Sequence, residues 1–310
     1  MPAAATATTS ATTSATSALP PHERAARLGC WAGPVEPEPL GGGITNTNFV
    51  VTDRGQRFVV RIGDDIPIHG VMRFNELAAA RAAAEAGLSP EIVHAEPGAL
   101  VMRHITGHTL REEDVRDPAM LARLVPLIRR CHLEVPRYLR GPALIFWVFH
   151  VCRDYAATLR AGDSRLVPDL PRLGALNDEL EMAVGPIQPV FGHNDLLPGN
   201  FIDDGSRVWL IDWDYAGFNS CLFDLGGLAS NNGLSPEQED WMLAAYFGAP
   251  PDARLRRAYA AMKCASLLRE TLWSATSEQH STLDFDYVAY TASNMERLSL
   301  ALEAFRRLPR

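Results

Sequence analysis

Two kinds of pattern divide this chain, and they hardly mix. Before residue 104 the apolar residues come in short runs broken by glycine, proline and aspartate, as in "NFVVTDRGQRFVVRIG" and "EIVHAEPGALVMRHI". Runs of that kind, bounded by turn residues, are the signature of strands. From Leu110 onward helical spacing takes over, with one interruption, in which two apolar runs flank "DDGS" and read as a hairpin. Strands first and helices afterwards indicate an α+β chain: a small antiparallel sheet, then a larger, mainly helical lobe.

The elements follow from the same rules. Strands are expected at Asn48 to Thr52 and Arg57 to Ile62 about a turn at Asp53 to Gln56, and two more about Pro97 and Gly98. The Ala-rich stretch Val71 to Ala86 should be a helix stopped at Gly87. Later helices are expected at Pro118 to His132, Phe149 to Arg160, Leu173 to Val184, Pro236 to Phe247, Pro251 to Glu278 and Asp286 to Arg306. The hairpin pairs Asn200 to Ile202 with Val208 to Ile211. The lobes are placed at 21–104 and 105–310. Residues 1–20, an Ala/Thr/Ser tract with neither the basic start and apolar middle of a secretory signal nor the arginines of a transit peptide, read as a disordered tail.

Composition narrows the partners. Among 310 residues, 47% are apolar, enough for a real core, and the net charge of −8 opposes a nucleic-acid partner, which needs clustered positive charge. No apolar run is long enough to insert in a membrane. Five cysteines without metal or disulfide spacing fit a reducing cytoplasm. A small-molecule ligand becomes the default; oligomeric state is not legible.

The interrupting hairpin carries the chemistry. "FGHNDLLPGNFIDDG" leads into it with Asp195 and Asn200, and "VWLIDWDYAG" leaves it with Asp212 and Asp214, so the four side chains can converge. Carboxylates and a carboxamide are hard oxygen ligands of the kind Mg²⁺ takes together with substrate phosphates. An aspartate, an asparagine five residues on and then a strand-borne aspartate also follow the order of a kinase catalytic loop and its metal-binding aspartate. Asp195 is then the candidate base, and Asn200 and Asp212 the metal ligands. ATP would be cradled by "GGGITNTN", through Gly42 and Gly43 backbone N–H groups and the side chains of Thr45, Asn46 and Asn48. The lysine expected on the next strand is missing, because the chain's one lysine is Lys263. Arg61 stands in its place as a phosphate clamp, with Glu76 a candidate to orient it.

These segments, with "LIDWDYAGFNSCLFDLGG" and "LDFDYVAY", resemble the choline/ethanolamine kinase family, in particular its bacterial branch, within the aminoglycoside-phosphotransferase and protein-kinase-like superfamily. The resemblance runs from about Leu40 to the C-terminus and implies a two-lobed protein-kinase-like fold and an ATP- and Mg²⁺-dependent kinase. Its acceptor would be a small cationic alcohol, choline or ethanolamine. It puts Asp214 near the substrate and metals, and Trp273 and Tyr290 at aromatic positions around a choline head group, which suits a cation against ring faces. Two departures stand out. Glu270 occupies one wall of the expected aromatic box, and Gly227 replaces an asparagine. A carboxylate can accept hydrogen bonds from a primary ammonium, which a trimethylammonium cannot donate, so Glu270 should favour ethanolamine. The rival readings are an aminoglycoside or other small-molecule phosphotransferase of the same fold, and a non-catalytic nucleotide-binding protein.

Overall fold

The computed structural model describes residues 19–41 and 46–309. Residues 1–18 of the expected tail, and Gly42, Gly43 and Thr45 of the expected cradle, lie outside the described residues. The chain divides into two compact units, Met1–Asp65 with Glu91–His104 and Ile66–Pro90 with Ile105–Arg310. The segment Ile66–Pro90, placed by its sequence position in the first lobe, therefore sorts with the helical unit. Its Ala-rich helix explains why: Ala79, Ala80, Ala82 and Ala83 are buried and let the backbone approach the long helix Pro118–Tyr138 closely.

In the first unit a short helix α1 (Pro21–Ala26) accompanies strands β1 (Glu38–Leu40), β2 (Thr47–Asp53), β3 (Gln56–Ile62), β4 (Ile92–Glu96) and β5 (Ala99–Arg103). They form an antiparallel sheet in the order β1-β2-β3-β5-β4. The β2–β3 turn places both Arg54 (φ 47°) and Gly55 (φ 75°) in the left-handed region, the geometry whose twist matches the flanking strands. Alternation buries Phe49, Val51, Phe58, Val60, Ile62 and Val101 with Ala25 and Leu28 in one core. Period two sends Asn48 and Arg61 to the other face, where they are register partners.

The second unit contains α2 (Arg73–Glu85), β6 (His108–Thr109), α3 (Glu112–Arg116), α4 (Pro118–Tyr138), α5 (Val148–Ala161), α6 (Leu170–Val184), β7 (Pro189–Gly192), β8 (Phe201–Asp203), β9 (Val208–Leu210), β10 (Gly217–Ser220), α7 (Cys221–Asn232), α8 (Pro236–Phe247), α9 (Ala253–His280) and α10 (Tyr287–Arg307). The expected helices are present with ends shifted by a few residues, α4 running on through Pro126 and Pro136 to Tyr138. Helix α9 is the centre: it is buried on nearly every side from Ala258 to Ser277, and α5, α6, α7 and α10 pack on it.

The short helices α1 and α3 and the longer α7 have no counterpart in the sequence reading. Nearly all of α7 is buried, so it shows no polar face to betray a helical period, and it carries the pair Gly226–Gly227. The glycine is there for contact: a Cβ on Gly226 would lie 2.9 Å from the backbone of Lys263 on α9. A second ladder is equally unannounced. Besides the expected β8–β9 hairpin, which β6 joins, β7 pairs antiparallel with β10. The chain from β7 to β8 and the chain from β9 to β10 are thus two loops clamped together by one ladder at each end.

Candidate active site

The two clamped loops hold the sequence-singled residues, Asp195 and Asn200 on the first and Asp212 and Asp214 on the second. Their backbone is held in uncommon shapes. Asn194 (φ 64°) and Asp212 (φ 70°) are left-handed, a conformation that Asn and Asp tolerate better than most residues and that surrounding bonds must enforce. For Asn194 those bonds are explicit: its Nδ2 donates to the carbonyl oxygens of Tyr215 (2.9 Å) and Gly217 (3.2 Å), and its Oδ1 accepts from Asn219 (3.1 Å). His193, fully buried, bonds the Ile211 carbonyl oxygen through Nε2 at 2.9 Å, tying first loop to second as the bland structural reading of a histidine there expects.

The anchor of the first loop is Asp224 on α7, 2% exposed. Its carboxylate accepts the backbone N–H groups of His193 (2.8 Å) and Asn194 (2.7 Å), and His132 Nε2 lies 2.8 Å away. Burial alone would raise its pKa. The hydrogen bond and charge of His132, with the charge and N–H of His193, outweigh burial and hold it below the ordinary carboxyl value. Asp224 was not singled out from sequence, although "FDLGG" ten residues beyond Asp214 contains it.

Around Asp195 the polar groups crowd. Asn200 Nδ2 donates to the Asp195 carbonyl oxygen at 2.8 Å and reaches its Oδ2 at 3.4 Å, which leaves the Asn200 side chain only its oxygen to offer elsewhere. The Ile211 N–H donates to the Asn200 carbonyl oxygen at 3.0 Å, bringing Asp212 next to this pair. The Asp195 carboxyl is pushed up to about 8, first by burial and then by the nearby charges of Glu270, Asp212 and Asp214, with Arg269 opposing. Asp214, 3% exposed, receives Arg73 Nη1 at 2.8 Å, and the same nitrogen reaches Glu76 Oε2 at 2.6 Å. Glu76 is therefore a partner of Arg73, a residue no motif had singled out.

The long helix α9 supplies Arg269, Glu270 and Trp273. Arg269 Nη1 bonds Glu270 Oε1, and Tyr290 OH of α10 lies 3.4 Å from Glu270 Oε2. Trp273 Nε1 donates to Tyr215 OH at 2.9 Å and its ring stands edge-on to Tyr290 at 6.4 Å. His69 joins from the segment before α2, its ring 5.5 Å from Trp273 and its nitrogens 3.1 Å from Tyr155 OH and 3.2 Å from Ser277 Oγ. An added Cβ at Gly227 would meet Ser266 Oγ of α9 at 3.4 Å, so this position of α7 lies against that helix. In the first unit, Asn48 and Arg61 face each other across β2 and β3; Arg61 is 7% exposed and the Asn48 Oδ1 is buried with no hydrogen-bond partner among the described residues.

A family model described as "Phosphotransferase enzyme family" matches residues 36–273. The chain belongs to that family. A solved choline/ethanolamine kinase family protein from Mesorhizobium loti is 31% identical, with a TM-score of 0.71, and the match covers 89% of this chain and 91% of that one. That places the chain in the choline/ethanolamine kinase branch, and the α+β, protein-kinase-like fold is the one expected. Protein LicA of Haemophilus influenzae is 26% identical over 279 residues, covering 86% of this chain and 79% of that protein. A probable ethanolamine kinase of Arabidopsis thaliana is 25% identical over 289 residues, covering 82% of this chain and 76% of that protein. The family member is thus a small-molecule phosphotransferase with an alcohol group as acceptor. Among its described residues no helix is long and apolar enough to cross a membrane.

Proposed function

We propose that the protein transfers the terminal phosphoryl group of ATP to the hydroxyl of a small amino alcohol, with ethanolamine preferred over choline. The observation that carries this reading is the placing of Asp195: its loop is pinned by Asp224 through the backbone N–H groups of His193 and Asn194, and Asn200 holds its carbonyl oxygen and reaches its carboxylate. Burial and the charges of Glu270, Asp212 and Asp214 raise its basicity above that of an ordinary aspartate, which favours taking a proton from an alcohol. The hydroxyl oxygen forms its bond to phosphorus as the bond to the departing nucleoside diphosphate breaks, and the proton passes to Asp195. The aspartate is oriented by Asn200 and by the Asp224 anchor of its loop, so little motion is needed at the moment of transfer.

Asn200 and Asp212 fit a hard divalent cation, since the carboxamide has spent its nitrogen on Asp195 and presents oxygen. Bound there, Mg²⁺ would neutralise charge on the phosphates. Arg61, Asn46 and Asn48 are the proposed phosphate contacts of the first unit, and the glycines and Thr45 of "GGGITNTN" are assigned the same duty from sequence. Arg73 holds Asp214 in place as a buried carboxylate near the acceptor.

Glu270, bonded to Tyr290, would accept from a primary ammonium and offers nothing to a trimethylammonium except charge. The test is ATP consumption with Mg²⁺ against ethanolamine, choline, kanamycin and no acceptor, with Asp195→Ala as control. Turnover of ethanolamine above choline, reversed in Glu270→Trp, is the expected outcome. Choline favoured over ethanolamine and unaffected by Glu270→Trp would remove the specificity argument, and kanamycin turnover alone would replace the acceptor class.

A further inference from the structure

The residue that least suits a simple cation pocket is Arg269. It is 2% exposed and lies one position before Glu270 on α9. Its guanidinium carbon stands 4.3 Å above the centre of the Tyr215 ring and 5.6 Å from that of Phe146. The Tyr215 ring in turn is fixed by the bond from Trp273 to its hydroxyl. The face of the Tyr215 ring, held beside Trp273 of the expected box, is therefore already covered by the protein's own cation. A quaternary ammonium approaching that face would meet like charge where the ring would otherwise attract it.

Arg269 is also incompletely matched. One of its terminal nitrogens serves Glu270, but Nε and Nη2, both buried, have no hydrogen-bond partner among the described residues. Buried donors of a guanidinium are costly to leave idle, and orphaned ones in a functional region point to an acceptor brought by a ligand. The planar fork of N–H groups is the shape that grips a carboxylate. Beside it, Glu270 with Tyr290 OH forms an acceptor site for an ammonium. The two opposite charges are adjacent, and both act on the Asp195 carboxyl.

We propose that the acceptor alcohol is zwitterionic, a hydroxy amino acid carrying a carboxylate as well as an ammonium, and that Arg269 is the residue that binds the carboxylate. This rests on the reading of the pocket as an amino-alcohol site and narrows it. The ammonium goes to Glu270, the carboxylate to the idle Nε and Nη2 of Arg269, and the hydroxyl to Asp195. A neutral or purely cationic amino alcohol would leave the Arg269 donors unmatched, and a site built to hydrogen-bond a group discriminates strongly against analogues that lack it.

The experiment measures kcat/KM of the full chain with ATP and Mg²⁺ for L-serine, L-homoserine and L-threonine beside ethanolamine and choline. At least one hydroxy amino acid is expected to exceed both simple amino alcohols by about 10-fold or more, the range a hydrogen bond to a charged group supplies. Arg269→Met should lower kcat/KM for the amino acid more than for ethanolamine, chiefly through KM, so that the ratio between them falls toward one; equal losses for both would contradict a carboxylate contact. The wild-type ranking alone decides the matter if the variant does not fold. Ethanolamine or choline exceeding every carboxylate-bearing alcohol by 10-fold overturns the inference and leaves the amino-alcohol reading standing. Turnover of none of the five, with ATP still bound, removes the amino-alcohol reading itself.

Discussion

Replacing Asp224 by asparagine tests how the catalytic loop is held. The carboxylate serves two backbone N–H groups, of His193 at 2.8 Å and Asn194 at 2.7 Å, and His132 at 2.8 Å, all buried. The amide keeps the shape but retains one oxygen acceptor and turns an NH₂ toward donors. At least one buried donor is stranded, at about 1–3 kcal/mol, and the remaining bonds lose their charge assistance. A total loss of about 2–4 kcal/mol is expected, a large fraction of the ~5–15 kcal/mol that stabilises an ordinary domain. Urea unfolding reads it directly. Asn194, no longer pinned at φ 64°, should relax toward the common backbone region and carry Asp195 with it. A misplacement of this kind costs on the order of 100-fold in turnover. The pH dependence has a definite sign. Because the folded-state pKa of Asp224 is depressed, its contribution is complete above the ordinary carboxyl value of 3.8 and is lost as pH falls below it. The gap between wild type and variant should therefore be wide at pH 7 and close in acid. A variant within about 0.5 kcal/mol of wild type, the scatter of an ordinary surface substitution, and with unchanged kcat would show that Asp224 anchors nothing.

Two further substitutions separate chemistry from packing. Asp195→Asn should lower kcat by about 100-fold or more, the range of a lost general base. It should also stabilise the metal-free protein: the folded wild type holds the Asp195 proton up to about 8 against an ordinary 3.8, so it loses stability as pH rises between these values, and the asparagine variant does not. An advantage of about 2–4 kcal/mol at pH 8 that vanishes near pH 4 is expected, and a pH-independent difference in melting would contradict the assignment. Gly226→Ala would ordinarily stabilise a helix by roughly 0.5–1 kcal/mol. Here the new Cβ meets the Lys263 backbone at 2.9 Å, so thermal unfolding should show a net loss of about 1–3 kcal/mol; a rise in Tm would refute the close approach of α7 and α9.

What could be read ahead of the structure was local in the chain. The β2–β3 hairpin is written in Arg54-Gly55, the β8–β9 hairpin in "DDGS", and the order Asp195, Asn200, Asp212 lies within one stretch. Amphipathic helices announced themselves because one face meets water. Helix α7 did not, since a helix buried on nearly all sides has no polar face to set a period, and the β7–β10 ladder did not, since its strands pair across the intervening hairpin and no turn joins them to mark it.

The sequence by itself determined the division into strands and helices, the polar loop with its two aspartates and asparagine, the arginine standing where a lysine is usual, and the carboxylate at position 270. Tertiary structure alone decided what those groups meet. Arg73 reaches Asp214 across 141 residues, Asp224 holds a loop 30 residues upstream, and Trp273 fixes Tyr215 across 58. Arg269, silent in the sequence, becomes a buried cation over Tyr215 only when α9 packs against the second loop. Spacing along a chain encodes hydrogen bonds of the backbone and the alternation of faces. The value of a charge depends on its neighbours in space and on its exclusion from water, and both arise only once the chain has closed on itself.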